Sequence, residues 1–311
     1  MKKALITGID GFVAPYLAEV LLKKGYEVMG SFLIKPARRV QNVIYEKLDL
    51  LNKNEIRKLV SDFKPDYVFH LAGFSSVAKS WENPELCRKV NVEGTRNLLD
   101  ALIKENIKAK VLFISSAEVY GKPKFVPITE EHPVNPENPY AKSKLEAEKI
   151  CLSKNYKKLS IVISRSFNHT GPGQTPDFVC PDFAKQIAEI EKGIREVIIK
   201  VGNLKPKRDF SDVRDIAEAY SVFVKCKPGI YNISSGKAYS IQEILEMLLS
   251  MSKVKIKVEV VPEKFRKVDV PVMYGKHSKF SRETGWQPKI KIEETLRGLL
   301  DYWREKVRDI L

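Results

Sequence analysis

Apolar residues along the chain fall into short runs separated by stretches of helical spacing. Residues 3–7 form a brief apolar run that predicts a strand, and residues 15–24 follow with apolar positions at helical intervals. Residues 25–33 and 43–50 read as two more strands. The helix expected over 53–63 leads to residues 65–73, an apolar run stopped by small residues, as a buried parallel strand would be. A helix over 85–105, a strand over 110–116, a helix beginning at Pro139 and a strand over 159–165 continue the alternation. This succession predicts an α/β fold with a doubly wound parallel sheet. After Arg165 the rhythm breaks. Helix 178–193 and strand 196–201 precede helix 213–224 and strand 229–234, which look like a return to the sheet. Helix 241–252, strand 255–261 and a C-terminal helix remain. The expected division is a nucleotide-binding domain of residues 1–170 plus 209–236, and a smaller substrate domain of residues 171–208 plus 237–311.

With 311 residues, 43% of them hydrophobic, the chain has room for one large α/β unit or a main domain with a smaller companion. The N-terminus enters a strand at once, with no signal-peptide pattern and no apolar run of membrane length, so the cytoplasm is the expected compartment. Cys87, Cys151, Cys180 and Cys226 are scattered, as reduced thiols are, and neither they nor His70, His132, His169 and His277 show metal-ligand spacing. The net charge of +15 comes from lysines interleaved with glutamates. That pattern suits a Lys/Glu-rich solvated surface, or a field attracting a small polyanionic substrate, better than a nucleic-acid site.

Chemistry enters at three places. Gly8-Ile-Asp-Gly11-Phe12-Val13-Ala14 links the first strand to the first helix, the context that a dinucleotide fingerprint requires. Gly8 would allow the tight turn, Gly11 the approach of a pyrophosphate, and Ala14 close helix packing. No acid stands between Ser31 and Arg39, whereas Lys35, Arg38 and Arg39 do, which favours NADP(H) over NAD(H). Ser115 and Ser116 end a central strand, where ligands bind in this architecture. Tyr-x-x-x-Lys then occurs three times. Tyr120/Lys124 contains Gly and Pro and reads as a loop, and Tyr302/Lys306 lies in the terminal amphipathic helix. Tyr140/Lys144 follows the helix-start signal Asn138-Pro139 and places a phenol and an ammonium on one helix face. A free phenol titrates near ~10, and a neighbouring positive charge is expected to bring that value down.

Thr7-Gly-x-x-Gly11-Phe, Asp49-Leu50, His70-Leu-Ala-Gly73, Asn91-Val-x-Gly-Thr95, Ser115-Ser-Ala-Glu-Val-Tyr-Gly121 and Tyr140-x-x-x-Lys144 together resemble the extended short-chain dehydrogenase/reductase family, whose members act on nucleotide sugars. The resemblance implies a Rossmann fold, Tyr140 as acid/base, Lys144 on the nicotinamide ribose, and Ser116 on the reacting oxygen. It places Gly8, Gly11, Phe12, Val13, Asp49, Leu50, Leu71, Ala72, Gly73 and Asn91 around the cofactor. It also implies a homodimer pairing the helices that carry Asn91 and Tyr140. In the second half, Asn168, Arg195, Lys200, Arg208, Arg266 and Asp269 are the expected substrate contacts, with the arginine forks suited to a diphosphate.

Residues 167–215 resemble most the branch that reduces GDP-4-keto-6-deoxy-D-mannose to GDP-D-rhamnose, with the GDP-mannose 4,6-dehydratases as neighbouring branch. Dehydration needs an extra acid/base near C6; Ala117 cannot serve, and Glu118 leaves that reaction open. A 4-epimerase is a further alternative, and a cofactor sensor without chemistry is one of a different class. The complete Ser116/Tyr140/Lys144 set argues against the sensor.

Overall fold

The computed structural model of the chain describes residues 1–36, 38–265 and 269–308. A seven-stranded sheet is built from β1 (Lys3–Thr7), β2 (Glu27–Phe32), β3 (Val43–Lys47), β4 (Tyr67–His70), β5 (Lys110–Ser116), β6 (Ser160–Ser166) and the strand Gly229–Ile233. Across the sheet the order is Gly229–Ile233, β6, β5, β4, β1, β2, β3, and every neighbouring pair is parallel. Chain direction along the sheet reverses between β1 and β4, which opens a crevice at the carboxyl ends of those strands.

Because side chains alternate across a strand, the inner strands feed two cores. Ala4 and Ile6 of β1 face one core and Leu5 the other. The first core is closed by α1 (Ala14–Lys23) and the helix Val213–Ser221, through Leu17, Leu21, Ile216 and Tyr220. The second is closed by α2 (Lys53–Phe63), α5 (Gly94–Lys104) and α6 (Pro139–Cys151), through Ile56, Val60, Leu98, Leu102, Ala147 and Ile150. Burying one such aliphatic side chain contributes about 1.5–3 kcal/mol. Burial on both faces is why the strands read as unbroken apolar runs in the sequence.

A separate core gathers Phe183, Ile187, Ile199, Ile244, Leu248, Leu296 and Leu300. They come from the helices Val179–Glu191, Ile241–Ser250 and Ile292–Arg308 and the strand Ile198–Val201. The helix at Ile241 starts where the sequence allows it to: Ser240 and Glu243 form a reciprocal capping box. The tail from residue 237 does not sit wholly with this core, however. Phe280 and Trp286 pack into the sheet core, Phe280 against Tyr231 of the strand Gly229–Ile233 and Trp286 Nε1 donating to Asp215 O of the helix Val213–Ser221 at 3.0 Å.

Two elements differ from expectation. Residues 74–82 hold a helix that periodicity did not suggest, α3 (Val77–Glu82), capped by the Ser76 hydroxyl. The expected helix over 85–105 is divided into α4 (Pro84–Arg88), a π-helical turn Lys89–Glu93, and α5. The wider turn aims Asn91 inward. Its Oδ1 accepts from Phe74 N at 2.7 Å and its Nδ2 donates to Phe74 O at 3.1 Å, which satisfies both backbone groups of that loop residue.

Candidate active site

At the end of β1 the chain turns through Gly8, whose φ is +77°. A Cβ there would stand 2.7 Å from Ala72 Cα, so the close approach of the two strand ends depends on glycine. The turn is pinned to β2, because Gly8 N and Ile9 N both donate to Ser31 O, at 2.9 and 2.8 Å. The N-cap of α1, Val13, provides no side-chain acceptor. The first amides of α1 are therefore open toward an anionic group, as a dinucleotide pyrophosphate would require. Leu71, Ala72 and Gly73 form the adjoining wall, and Asp49 and Leu50 the far edge, of a single cleft of about 1330 Å³. A drug-sized ligand fills about 300–1,000 Å³; this cleft has room for a dinucleotide and a second nucleotide end to end. The residues fit such a cofactor.

Beneath this wall lies His70. Its Nδ1 is 2.7 Å from Thr7 Oγ1, its Nε2 is 3.0 Å from Thr95 Oγ1, and Ala72 N donates to Thr7 Oγ1 at 3.2 Å. Burial, aided by the Lys144 charge, lowers the imidazole to about 3, so it is neutral. His70 is a clamp between β1, β4 and α5 rather than a proton carrier.

Midway along the cleft, Ser116, Glu118, Tyr140 and Lys144 line it together. The side chain of Asn138 accepts from Ala141 N at 2.8 Å and Pro139 takes the first helical turn, so α6 begins in a fixed position just before Tyr140. Burial pushes the Tyr140 phenol above its ordinary value, and the hydrogen bond with Ser116 offsets only part of that. The expectation of a lowered phenol is thus corrected: in the protein alone, the cost of a buried phenolate outweighs any help from Lys144. Lys144 Nζ donates to Ile114 O at 2.9 Å and lies 5.9 Å from the centre of the Tyr140 ring. Burial lowers its ammonium to about 8. Glu118 Oε2 accepts from Asn138 Nδ2 at 3.0 Å.

At the other end the cleft is lined by Asn168, Arg208 and Asp269. Arg208 is held in place: it donates to Asp269 Oδ1 at 2.9 Å, to Lys207 O at 2.9 Å and to Val270 O. Asn203 Nδ2 donates to the other Asp269 oxygen at 3.0 Å. Three expected site residues do not line the cleft. Arg195 is turned onto Glu189 and Gln186 of the neighbouring helix. Lys200 lies on the strand Ile198–Val201, whose alternate residues Ile199 and Val201 face the core, so its own side chain points to solvent. Asn91 stands behind the wall, on Phe74 and, through Nδ2 at 2.8 Å, on Ser143 Oγ. Arg266 lies outside the described residues.

Residues 5–299 match the family of GDP-mannose 4,6 dehydratase. The chain belongs to this family. It is an NAD(P)-dependent enzyme of the extended short-chain dehydrogenase/reductase group. Within the dehydratase family and its neighbours, the chain is 33% identical over 313 residues to a GDP-6-deoxy-D-mannose reductase of Pseudomonas aeruginosa, covering 99% of each chain. It is 30% identical to a UDP-glucose 4-epimerase of Pisum sativum, covering 97% of this chain and 95% of that one. Among solved structures, that of RMD from Pseudomonas aeruginosa complexed with NADPH superposes with a TM-score of 0.85 at 32% identity, covering 98% of this chain and 100% of that one.

Of the three Tyr-x-x-x-Lys matches, only Tyr140/Lys144 lines the cleft among the described residues. Tyr120 is fully buried, with its hydroxyl on Asn232 Oδ1 at 2.7 Å, and Lys306 lies over the Tyr302 ring on the terminal helix. The sequence reading passed over Trp81, Asp182, Asn203, Lys264 and Phe265, all of which line the cleft. Lys264 Nζ donates to Asp182 Oδ2 at 2.8 Å across its rim.

Proposed function

We propose that this chain reduces the C4 ketone of GDP-4-dehydro-6-deoxy-D-mannose to give GDP-D-rhamnose. The observation that carries the reading is the end-to-end match to a GDP-6-deoxy-D-mannose reductase, combined with Ser116 and Tyr140 meeting midway along one cleft. The nicotinamide cofactor, when bound, supplies the hydride. As the ketone is reduced, negative charge grows on its oxygen; the Ser116 hydroxyl stabilises that charge and Tyr140 gives the proton. Lys144 would hold the nicotinamide ribose, and Gly8, Gly11, Phe12 and Val13 the pyrophosphate. Asn168, Arg208 and Asp269 would hold the substrate diphosphate and ribose, and residues 171–208 and most of 237–311 would form the substrate domain. Glu118 supports a second reading, GDP-mannose 4,6-dehydration, because it lines the cleft; its bond to Asn138 favours a fixed wall instead. A 4-epimerase remains the third reading, on the strength of the plant relative.

In the test, purified protein receives GDP-4-dehydro-6-deoxy-D-mannose with NADPH. One NADPH should disappear for each sugar reduced. Loss of water from GDP-mannose with no net cofactor change would replace this reading by the dehydratase, and epimerisation without net redox by the epimerase.

NADP(H) is the proposed cofactor. Lys35, Arg38 and Arg39 follow β2, and the Asp10 carboxylate at that loop is occupied by Leu33 N and Ile34 N, at 3.3 and 3.1 Å. Arg38 now lies over Tyr16 and pairs with Glu19, and Arg39 lies over Tyr45. Neither lines the cleft, so a base must turn inward to meet a 2′-phosphate. The expected kcat/KM ratio of NADPH to NADH is about 10- to 100-fold, the scale of one charge-assisted hydrogen bond. A preference for NADH would reverse the assignment. Pairing of two copies through the helices that carry Asn91 and Tyr140 completes the reading. Among the described residues no helix is long and apolar enough to cross a membrane, and the cytoplasm is the compartment we assign.

A further inference from the structure

Glu148 follows Lys144 by one helical turn on α6 and is almost wholly buried, at 1% exposure. It does not line the cleft. Its Oε1 accepts from the Ser115 hydroxyl and from Arg165 Nε at 3.0 Å, and its Oε2 accepts from Arg165 Nη2 at 2.7 Å. Ser115 and Arg165 are register partners on β5 and β6. One carboxylate thus ties the helix that carries Tyr140 to both strands beneath it, next to Ser116. The chain of contacts continues: the Arg165 guanidinium lies 4.8 Å from the Tyr120 ring, and the Tyr120 hydroxyl donates to Asn232 on the edge strand. Tyr120 closes the short turn that carries Glu118.

A buried ion pair adds little stability over an apolar pair of the same size, because the cost of stripping water from both charges offsets their attraction. What it adds is direction. Apolar side chains of α6 can slide along the sheet without losing contact, whereas two in-line bonds to Arg165 and one to Ser115 hold only at a single axial and rotational setting. That setting fixes where Tyr140 stands relative to Ser116, and both must address the same oxygen.

We propose that Glu148, acting with Arg165 and Ser115, is a positioning residue for proton transfer, and that it sets the register of Tyr140 against Ser116. The proposal rests on the Tyr140–Ser116 reaction centre, not on which sugar is reduced. It therefore applies to whichever of the three reactions the wild type performs.

The decisive variant is Glu148→Leu combined with Arg165→Met, which removes both charges and keeps the volume. It should fold, with a thermal midpoint near that of the wild type, and should bind dinucleotide with nearly unchanged Kd. Its kcat should fall about 10²-fold, as expected for a misplacement of about 1 Å, while KM for the nucleotide sugar changes little. Retention of kcat in the folded double variant would overturn the proposal. So would a fall in kcat matched by an equal loss of dinucleotide affinity, which would show a site that has collapsed instead of shifted. Should the double variant not fold, Ser115→Ala decides: it keeps the ion pair and removes only the bond to β5. A fall in kcat of about tenfold at unchanged KM supports the proposal, and an unchanged kcat overturns it. Because each result is a ratio to the wild type in the same assay, a wild type that dehydrates or epimerises would sink the reductase reading without touching this one.

Discussion

Tyr140→Phe is expected to lower kcat by about 10²- to 10⁴-fold, the worth of a positioned general acid. The substitution removes an oxygen and keeps the ring, so packing around α6 survives. Burial holds the phenol protonated through the neutral range, which suits a donor to a ketone oxygen. In its absence that oxygen must draw its proton from water, and the Ser116 hydroxyl keeps only its bond from Glu118 N. Dinucleotide affinity should change little, because Lys144, Gly8 and Ala72 are untouched. Steady-state kinetics with fluorescence titration of NADPH checks both halves. A residual kcat within about tenfold of the wild type would assign the proton to another group.

Raising the pH should silence the enzyme before it unfolds. Lys144 is lowered to about 8 by burial, and its ammonium lies 5.9 Å from the centre of the Tyr140 ring. The alkaline limb of kcat/KM, which reports the free enzyme, should therefore fall through about pH 8. The sign for stability is opposite. The unfolded chain titrates this lysine near its ordinary value of 10.5, so between about 8 and 10.5 the unfolded state binds more protons than the folded state. In that window, Lys144 makes the folded state more stable as pH rises. Activity and thermal midpoint measured on the same samples separate the two effects. Lys144→Met should abolish the limb and lower kcat/KM at neutral pH by about 10²-fold. A limb that persists in that variant would belong to a different group.

The parallel sheet was readable in the sequence because its inner strands are buried on both faces, and Gly8, Gly11, Ser116, Tyr140 and Lys144, which the family resemblance named, all line one cleft. Three features were not readable, for separate reasons. α3 has only six residues, too few for a periodic stripe, yet it brings Trp81 to the cleft. Asp182, Lys264 and Phe265 come from distant segments that meet only through the fold of the second core. The raised phenol of Tyr140 depends on burial, which a neighbouring lysine in the sequence does not reveal. Two errors had available warnings. Lys200 alternates with Ile199 and Val201, which already places it opposite the core, and Arg195 has Glu189 close behind it in the chain.

The all-parallel sheet also governs how the molecule is made. No neighbouring pair of its strands can be joined by a hairpin: Ala4 pairs with Tyr67, and Gly229 with Val162. Assembly therefore waits on distant contacts, and chains of this topology fold slowly. During synthesis β6 is complete long before its outer neighbour, because the chain must first build much of the second core and return at Gly229. Until then Ile161, Val162 and Ile163 present an uncovered strand edge, the feature through which nascent chains aggregate. Synthesis of residues 167–233 is thus the interval in which an aggregation-prone edge stays open, and it closes only when Gly229–Ile233 pairs with β6.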